Sequence, residues 1–161
     1  GEEQEGQAVR HRIDQPGKAD RIARRIERSG GANYHEAASW KDPREKLARA
    51  AVRMANDLDA AALVVFTREG RMVPETAWMR PRRTSILALC LGDAVARSLA
   101  LYRAVQPVVL PWDQWDGNQA VDRALEELVE RGLLERGGTV VVVSSPQAVA
   151  DIADSVTMRT V

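Results

Sequence analysis

The sequence predicts an α/β domain whose mostly parallel sheet is covered by helices on both faces. Three observations lead there. From Asp42 to Val161, short apolar, β-branched runs alternate with helix-length amphipathic segments, the order expected when right-handed crossover helices join parallel strands. The stretch ALVVFTREG, Ala62 to Gly70, ends in Thr67 and a glycine turn before a helix-like segment. A parallel strand ending this way brings its last residues and the next helix's unpaired N–H groups to one point, where an anion or small ligand can sit. Third, 161 residues with 45% apolar side chains suffice for one cored domain without staples, since a chain of this size buries roughly two thirds of its unfolded surface.

Each element has its own signal. Residues 1–17 are polar, with Gly and Pro and no apolar period, and read as loop or disorder. Lys18 to Ser29 places Ile22, Ala23 and Ile26 on one helical face, Gly30-Gly31-Ala32-Asn33 stops that helix, and a linker reaches Trp40. Residues 1–41 are thus an arm and helix, and residues 42–161 are the domain. In Asp42-Pro43-Arg44-Glu45, Asp42 can cap a helix, Pro43 needs no donor at the first position, and Glu45 can complete a capping box. Leu47, Ala51, Met54, Ala55 and Leu58 continue that helix at helical spacing. Strand and helix then alternate: Ala62 to Phe66 with Met72 to Met79, Ile86 to Leu91 with Asp93 to Tyr102, and Val105 to Leu110 with Gln119 to Arg131. A fourth strand is expected at Thr139 to Val143 and a fifth at Ser155 to Val161. Only a loop and one helical turn, Gln147 to Ile152, separate the last two, so the fifth is expected at an antiparallel edge.

Composition excludes several function classes. Lysine plus arginine number 23 and aspartate plus glutamate 23, so no summed field draws nucleic acid or an acidic membrane. No apolar run approaches the roughly 20 residues that cross a bilayer, and the acidic start GEEQEG is unlike a signal peptide. A cytoplasmic chain is expected, and with Gly1 in place of Met the natural protein is expected to begin upstream. Cys90, the single cysteine, fits a reducing compartment and reads as a small buried hydrophobe rather than a nucleophile. His11 and His35 lack the spacing of metal ligands. No dinucleotide fingerprint, nucleophile elbow or Walker loop occurs.

Several ordered motifs together carry a resemblance. The helix Glu45 to Leu58 leading into ALVVFT, Arg80-Pro81, Ala96-Arg97 followed by Leu101-Tyr102-Arg103 and Pro107-Val108, Arg131-Gly132 with Gly137-Gly138, and the closing Thr157-Met158-Arg159 resemble, in the same order, the C-terminal α/β domain of pyruvate kinase. That domain is the regulatory and subunit-contacting part of a glycolytic enzyme. The resemblance implies a three-layer α/β/α sandwich around a five-stranded mixed sheet with its last strand antiparallel, in agreement with the pattern above. Pro16 and the helix to Ser29 resemble the last helix of the family's catalytic barrel. The family's chemistry implies an Asp and Glu pair holding Mg²⁺, a lysine and arginine on the phosphoryl group, and a threonine, all supplied by that (β/α)₈ barrel. Beyond that last helix this chain has none of the barrel, so no catalytic residue, cofactor or metal is assigned to it, and by itself it is expected to have no kinase turnover.

What the resemblance leaves is an effector site. In allosteric members the turn after the first strand resembles Thr-x-Ser-Gly followed by Ser or Thr, holding a sugar bisphosphate's phosphate. Here it is Thr67-Arg68-Glu69-Gly70-Arg71, and Glu69 sets a carboxylate where an anion would sit. The second grip, glycine-rich in bisphosphate-binding members, is Ser144 to Asp154, without glycine and with the carboxylates of Asp151 and Asp154. Sugar-bisphosphate binding is therefore expected to be impaired. Thr67, Arg68, Gly70 and Arg71 are candidates for a smaller anion, set against a Thr cap beside a solvated Arg. Trp115, with Trp112, lies close to where some relatives have a ligand-stacking tryptophan, and otherwise packs on the helix after Asp116 or on an interface. Arg80, Arg82 and Arg83 form a basic cluster that reads as a solvated turn whose first arginine pairs with a carboxylate.

Three readings of function follow. The first is a non-catalytic regulatory and oligomerisation domain, meeting like domains or a pyruvate kinase catalytic domain. The second is a separate module binding a small phosphorylated or otherwise anionic metabolite at the carboxyl ends of the strands. The third is the excised end of an active pyruvate kinase, a phosphotransferase.

Overall fold

A computed structural model describes residues 42–117, 119–144 and 155–161. The expectations for residues 1–41, including both histidines, and for the turn Gln147 to Ile152 lie outside them. The first helix, α1, spans Pro43–Asp57, with Asp42 as its cap. Arg44 rather than Glu45 meets that cap. Its backbone N–H donates to Asp42 Oδ1 at 2.9 Å and its guanidinium to Oδ2 at 2.9 Å. The side-chain bond, and after it the backbone bond, holds the Asp42 carboxyl below its ordinary value of 3.8.

Strand β1 (Ala62–Phe66) leads to α2 (Met72–Trp78), β2 (Ser85–Cys90) to α3 (Asp93–Leu99), and β3 (Val105–Val109) to a 3₁₀ turn (Trp112–Gln114) and α4 (Ala120–Glu130). Strands β4 (Thr139–Ser144) and β5 (Ser155–Thr160) close the domain. The sheet order is β3-β2-β1-β4-β5. Four strands are parallel, and β5 runs antiparallel to β4 with Thr139 opposite Thr160 and Ser144 opposite Ser155. The expected five-stranded mixed sheet and its antiparallel edge are thus present.

Side chains alternate across this sheet, and each set meets its own helical layer. Leu63 and Val65 of β1, Ile86 and Ala88 of β2, and Val141 and Val143 of β4 pack with α1, α2 and α3. Ala48, Ala51, Val52 and Ala55 let α1 lie close to the strands. On the other face Val64, Phe66, Leu87, Leu89, Val140 and Val142 pack with Ala124, Leu125 and Leu128 of α4. The result is a three-layer α/β/α sandwich. Burying a residue such as Leu63 or Leu128, both 0% exposed, stabilises the fold by about 1.5–3 kcal/mol.

One expected helix is shorter in the structure. The apolar residues Leu99, Leu101 and Tyr102 extend the sequence pattern to Tyr102, yet α3 ends at Leu99. The chain must turn there to enter β3. Ala104 takes a left-handed φ of +59° and its carbonyl accepts the Ile86 N–H at 2.8 Å, joining the turn to the start of β2. Cys90 is fully buried, its thiol 3.7 Å from the Val108 carbonyl oxygen, and burial pushes its pKa up, as suits an inert strand residue. No described helix is long and apolar enough to cross a membrane.

Candidate functional site

The candidate site forms where β1, flanked by β2 and β4, ends. Thr67 extends the pairing with β2 by one residue, its N–H donating to the Leu89 carbonyl at 3.0 Å, and its side chain is buried. Its Oγ1 accepts the Gly70 N–H at 2.9 Å, closing the turn on itself. Gly70 lies at φ +86°, which an L side chain adopts at a cost, and its carbonyl accepts the Val73 N–H at 3.3 Å as α2 begins. A Cβ at this position would stand 3.1 Å from Leu99 Cδ2 and 3.4 Å from Val95 Cγ1 of α3. The glycine is therefore favoured by its dihedral, and an added Cβ would also make Leu99 Cδ2 shift by a few tenths of an ångström.

The charged residues of the turn are engaged with nearby carboxylates. Arg71 forms an ion pair with Glu69. Arg68 reaches out of the turn to the segment after β3, where Nη1 donates to Asp113 Oδ2 at 3.3 Å and the guanidinium lies 5.0 Å from the centroid of the Trp112 ring. That distance suits a cation–π contact. Trp112 is anchored in turn: its Nε1–H donates to the Leu89 carbonyl at 3.1 Å and its ring meets Phe66 edge-on, centroids 5.5 Å apart. Leu89 O thus receives both Thr67 and Trp112, tying the two halves of the site to one atom of β2.

Of the candidates from the sequence, Thr67, Arg68, Gly70 and Arg71 share this one turn. The ring of Trp115 lies 4.9 Å from the guanidinium of Arg123 on α4, the contact expected for packing on the helix after Asp116. Asp113 was not anticipated as the partner of Arg68. Only the WDQW motif hinted at this segment, and a spacing of three residues does not tell which tryptophan faces the turn. Ser144 of the second expected grip is buried at the same sheet edge, its carbonyl accepting from Ser155 Oγ at 2.8 Å; residues 145–154 lie outside the described set.

The basic cluster stands apart. Arg80, exposed at φ +49°, and Arg82, whose N–H donates to Asn56 Oδ1 at 3.0 Å, precede β2, whereas Thr67 follows β1. Strands rise about 3.3 Å per residue, so roughly 17 Å of sheet separates the two groups, which cannot grip one small ligand. Among the described residues no group of three or more His, Cys, Asp or Glu side chains could hold a metal ion.

Comparison with known proteins places this geometry in context. The sequence model of the family described as "Pyruvate kinase, alpha/beta domain" matches residues 45–155. Pyruvate kinase isozyme G, chloroplastic, of Ricinus communis is 35% identical over 101 residues, 63% of this chain and 23% of that protein. A pyruvate kinase of Agrobacterium vitis is 35% identical over 103 residues, 63% of this chain and 21% of its own length. Pyruvate kinase isozyme A, chloroplastic, of Nicotiana tabacum is 29% identical over 109 residues, 67% of this chain and 18% of that protein. The chain spans less than a quarter of the length of these relatives.

Proposed function

The chain belongs to the pyruvate kinase alpha/beta-domain family, and from that premise we propose that it is a non-catalytic regulatory and oligomerisation domain with impaired sugar-bisphosphate binding. The observation that carries the reading is the turn after β1. The Gly70 N–H, which an anion at this position would draw on, donates instead to Thr67 Oγ1, and the carboxylate of Glu69 stands on Arg71. A phosphate entering there meets a like charge and a donor already in use. Family membership supports the allosteric role and the contacts with like domains or a catalytic barrel that we propose. The buried free thiol of Cys90 suits a reducing compartment, and we propose the cytoplasm, although two of the relatives are named chloroplastic.

Two measurements test this reading. A ligand at a hundred times its dissociation constant stabilises a fold by about 2.7 kcal/mol, so millimolar sugar bisphosphate should leave the melting temperature unchanged. A rise of several degrees would refute the impairment. Sedimentation velocity should show association that grows with concentration, and a strictly monomeric chain would count against the oligomerisation role. A second reading is favoured by the relatives, each more than four times as long as the stretch it shares: the domain closes a longer glycolytic phosphotransferase. Reading the gene upstream of Gly1 tests that, and a barrel with an acidic metal pair would bear it out.

A further inference from the structure

Strand β3 is the outermost strand of the sheet, and among the described residues it pairs with β2 alone. An outer strand of sequence VQPVV, preceded by the exposed side chain of Leu101, is a template for another chain, because half of its N–H and C=O groups point away from the sheet. The register tells which half. The Ala104 carbonyl accepts the Ile86 N–H at 2.8 Å and the Leu110 N–H donates to the Cys90 carbonyl at 2.9 Å, so even-numbered residues bond to β2 and Val105, Pro107 and Val109 turn their backbone outward. Each of the three is altered as a pairing site. The Val105 N–H donates back to the Tyr102 carbonyl at 3.3 Å, closing the turn before the strand. Pro107 has no N–H to offer. At the far end the Val109 carbonyl accepts from Arg131 Nη1 at 3.5 Å, and Nε of the same guanidinium donates to Glu127 Oε1 at 2.8 Å.

We infer that β3 is a closed edge, at which Pro107 in the middle, the Tyr102 carbonyl at the start and Arg131 at the end deny a strand from a second copy of this chain the ladder it would need. The Val109 N–H is the one outward donor that these features leave, and it belongs to the residue whose carbonyl Arg131 covers. A ladder draws a donor and an acceptor from every second residue, so one donor at one end of a five-residue strand neither holds a partner nor sets its register. The position of the proline is what makes the device compatible with the fold. Facing outward, its missing N–H takes no bond from β2, whereas a proline at Gln106 or Val108 would break the existing ladder. Association of like domains, as proposed above, is thereby directed to surfaces other than β3.

Sedimentation velocity of the full 161-residue chain beside the double variant Pro107→Val with Arg131→Gln tests this. Valine suits a strand and restores the outward N–H, and glutamine shortens the side chain that covers the Val109 carbonyl. The double variant should associate at a protein concentration at least about tenfold lower than the unaltered chain, the order set by a regained donor and a freed acceptor in each copy. Hydrogen exchange read by NMR locates the contact: the new amide at position 107 should exchange rapidly in dilute solution and become protected as the protein associates. Where urea unfolding shows the double variant to be less stable than its parent, Pro107→Val alone should move association in the same direction by less. A double variant that associates no more readily than the unaltered chain overturns the closed edge, and so does a gain in association during which the amide at position 107 stays unprotected. The behaviour of the unaltered chain by itself bears on the oligomerisation role, and the difference between the chains bears on β3, so the two can fail separately.

Discussion

At the scale of single residues, Gly70 is held by the backbone of its turn. Its φ of +86° is strained for any L side chain, and an added Cβ 3.1 Å from Leu99 Cδ2 would require that methyl to shift by a few tenths of an ångström. Gly70→Ala should destabilise the domain by about 1–3 kcal/mol, the range for a non-glycine residue forced into such a conformation. Gly92 is the control for backbone strain. It is the N-cap of α3, in extended backbone with φ −154° and with open space around its Cβ direction, so Gly92→Ala should cost no more than about 1 kcal/mol, the effect of alanine as a poorer cap. Urea denaturation of both variants checks the contrast, and equal losses would refute it. The same turn shows what a sequence carries at this scale. Thr67 and Gly70 were legible because a threonine three residues before a glycine, after an apolar run, has a local mechanism. The bond from Arg68 to Asp113 was not, because it joins residues 45 positions apart and depends on which of two tryptophans the fold turns toward β1.

At the scale of elements, strands were easier to read than helix ends. Each strand is a short β-branched or apolar run with a breaker near it, so its bounds in the sequence and in the structure differ by a residue or so. The end of α3 depended on Ala104 taking a left-handed conformation, which alanine does not announce as glycine would. The start of α1 was legible from Asp42-Pro43, although the partner of the cap was Arg44, whose long side chain folds back onto the carboxylate. That cap has a pH signature. The Asp42 carboxyl titrates below its ordinary 3.8 in the folded domain, so it binds protons less readily folded than unfolded. Its stabilising effect is full at pH above 3.8 and fades as pH falls through the folded value. The melting-temperature difference between the parent and Asp42→Ala should therefore be constant near neutrality and shrink below pH 3.8. Asp42→Asn, which keeps an acceptor for the Arg44 N–H but not the charge, should show no such acid-dependent loss. A parent-to-alanine difference unchanged down to pH 2.5 would mean that the charge of Asp42 contributes nothing.

At the scale of the whole domain, the two helical layers are coupled through strands they share. Adjacent residues of β1 serve opposite cores, Leu63 and Val65 the layer of three helices and Val64 and Phe66 the layer of α4, so neither layer can lose its sheet without exposing the other. Local stability differences are expected only where an element can leave without taking the strands with it, and α4 cannot, because its buried residues cover β1, β2 and β4 together. The domain should then unfold as one cooperative unit. Leu128→Ala is the appropriate probe. The side chain is fully buried on the α4 face, and its truncation should cost about 2–5 kcal/mol. Because the layers are coupled, that loss should appear equally in two signals from different parts of the fold: tryptophan fluorescence, to which Trp112 contributes from the α4 face, and far-ultraviolet circular dichroism, which weights α1 as the longest described helix. Coincident urea midpoints for both signals, shifted together by Leu128→Ala, are the expected result. Midpoints that separate in the variant, with fluorescence changing first, would show that α4 detaches on its own and that the two cores are independent despite their common strands.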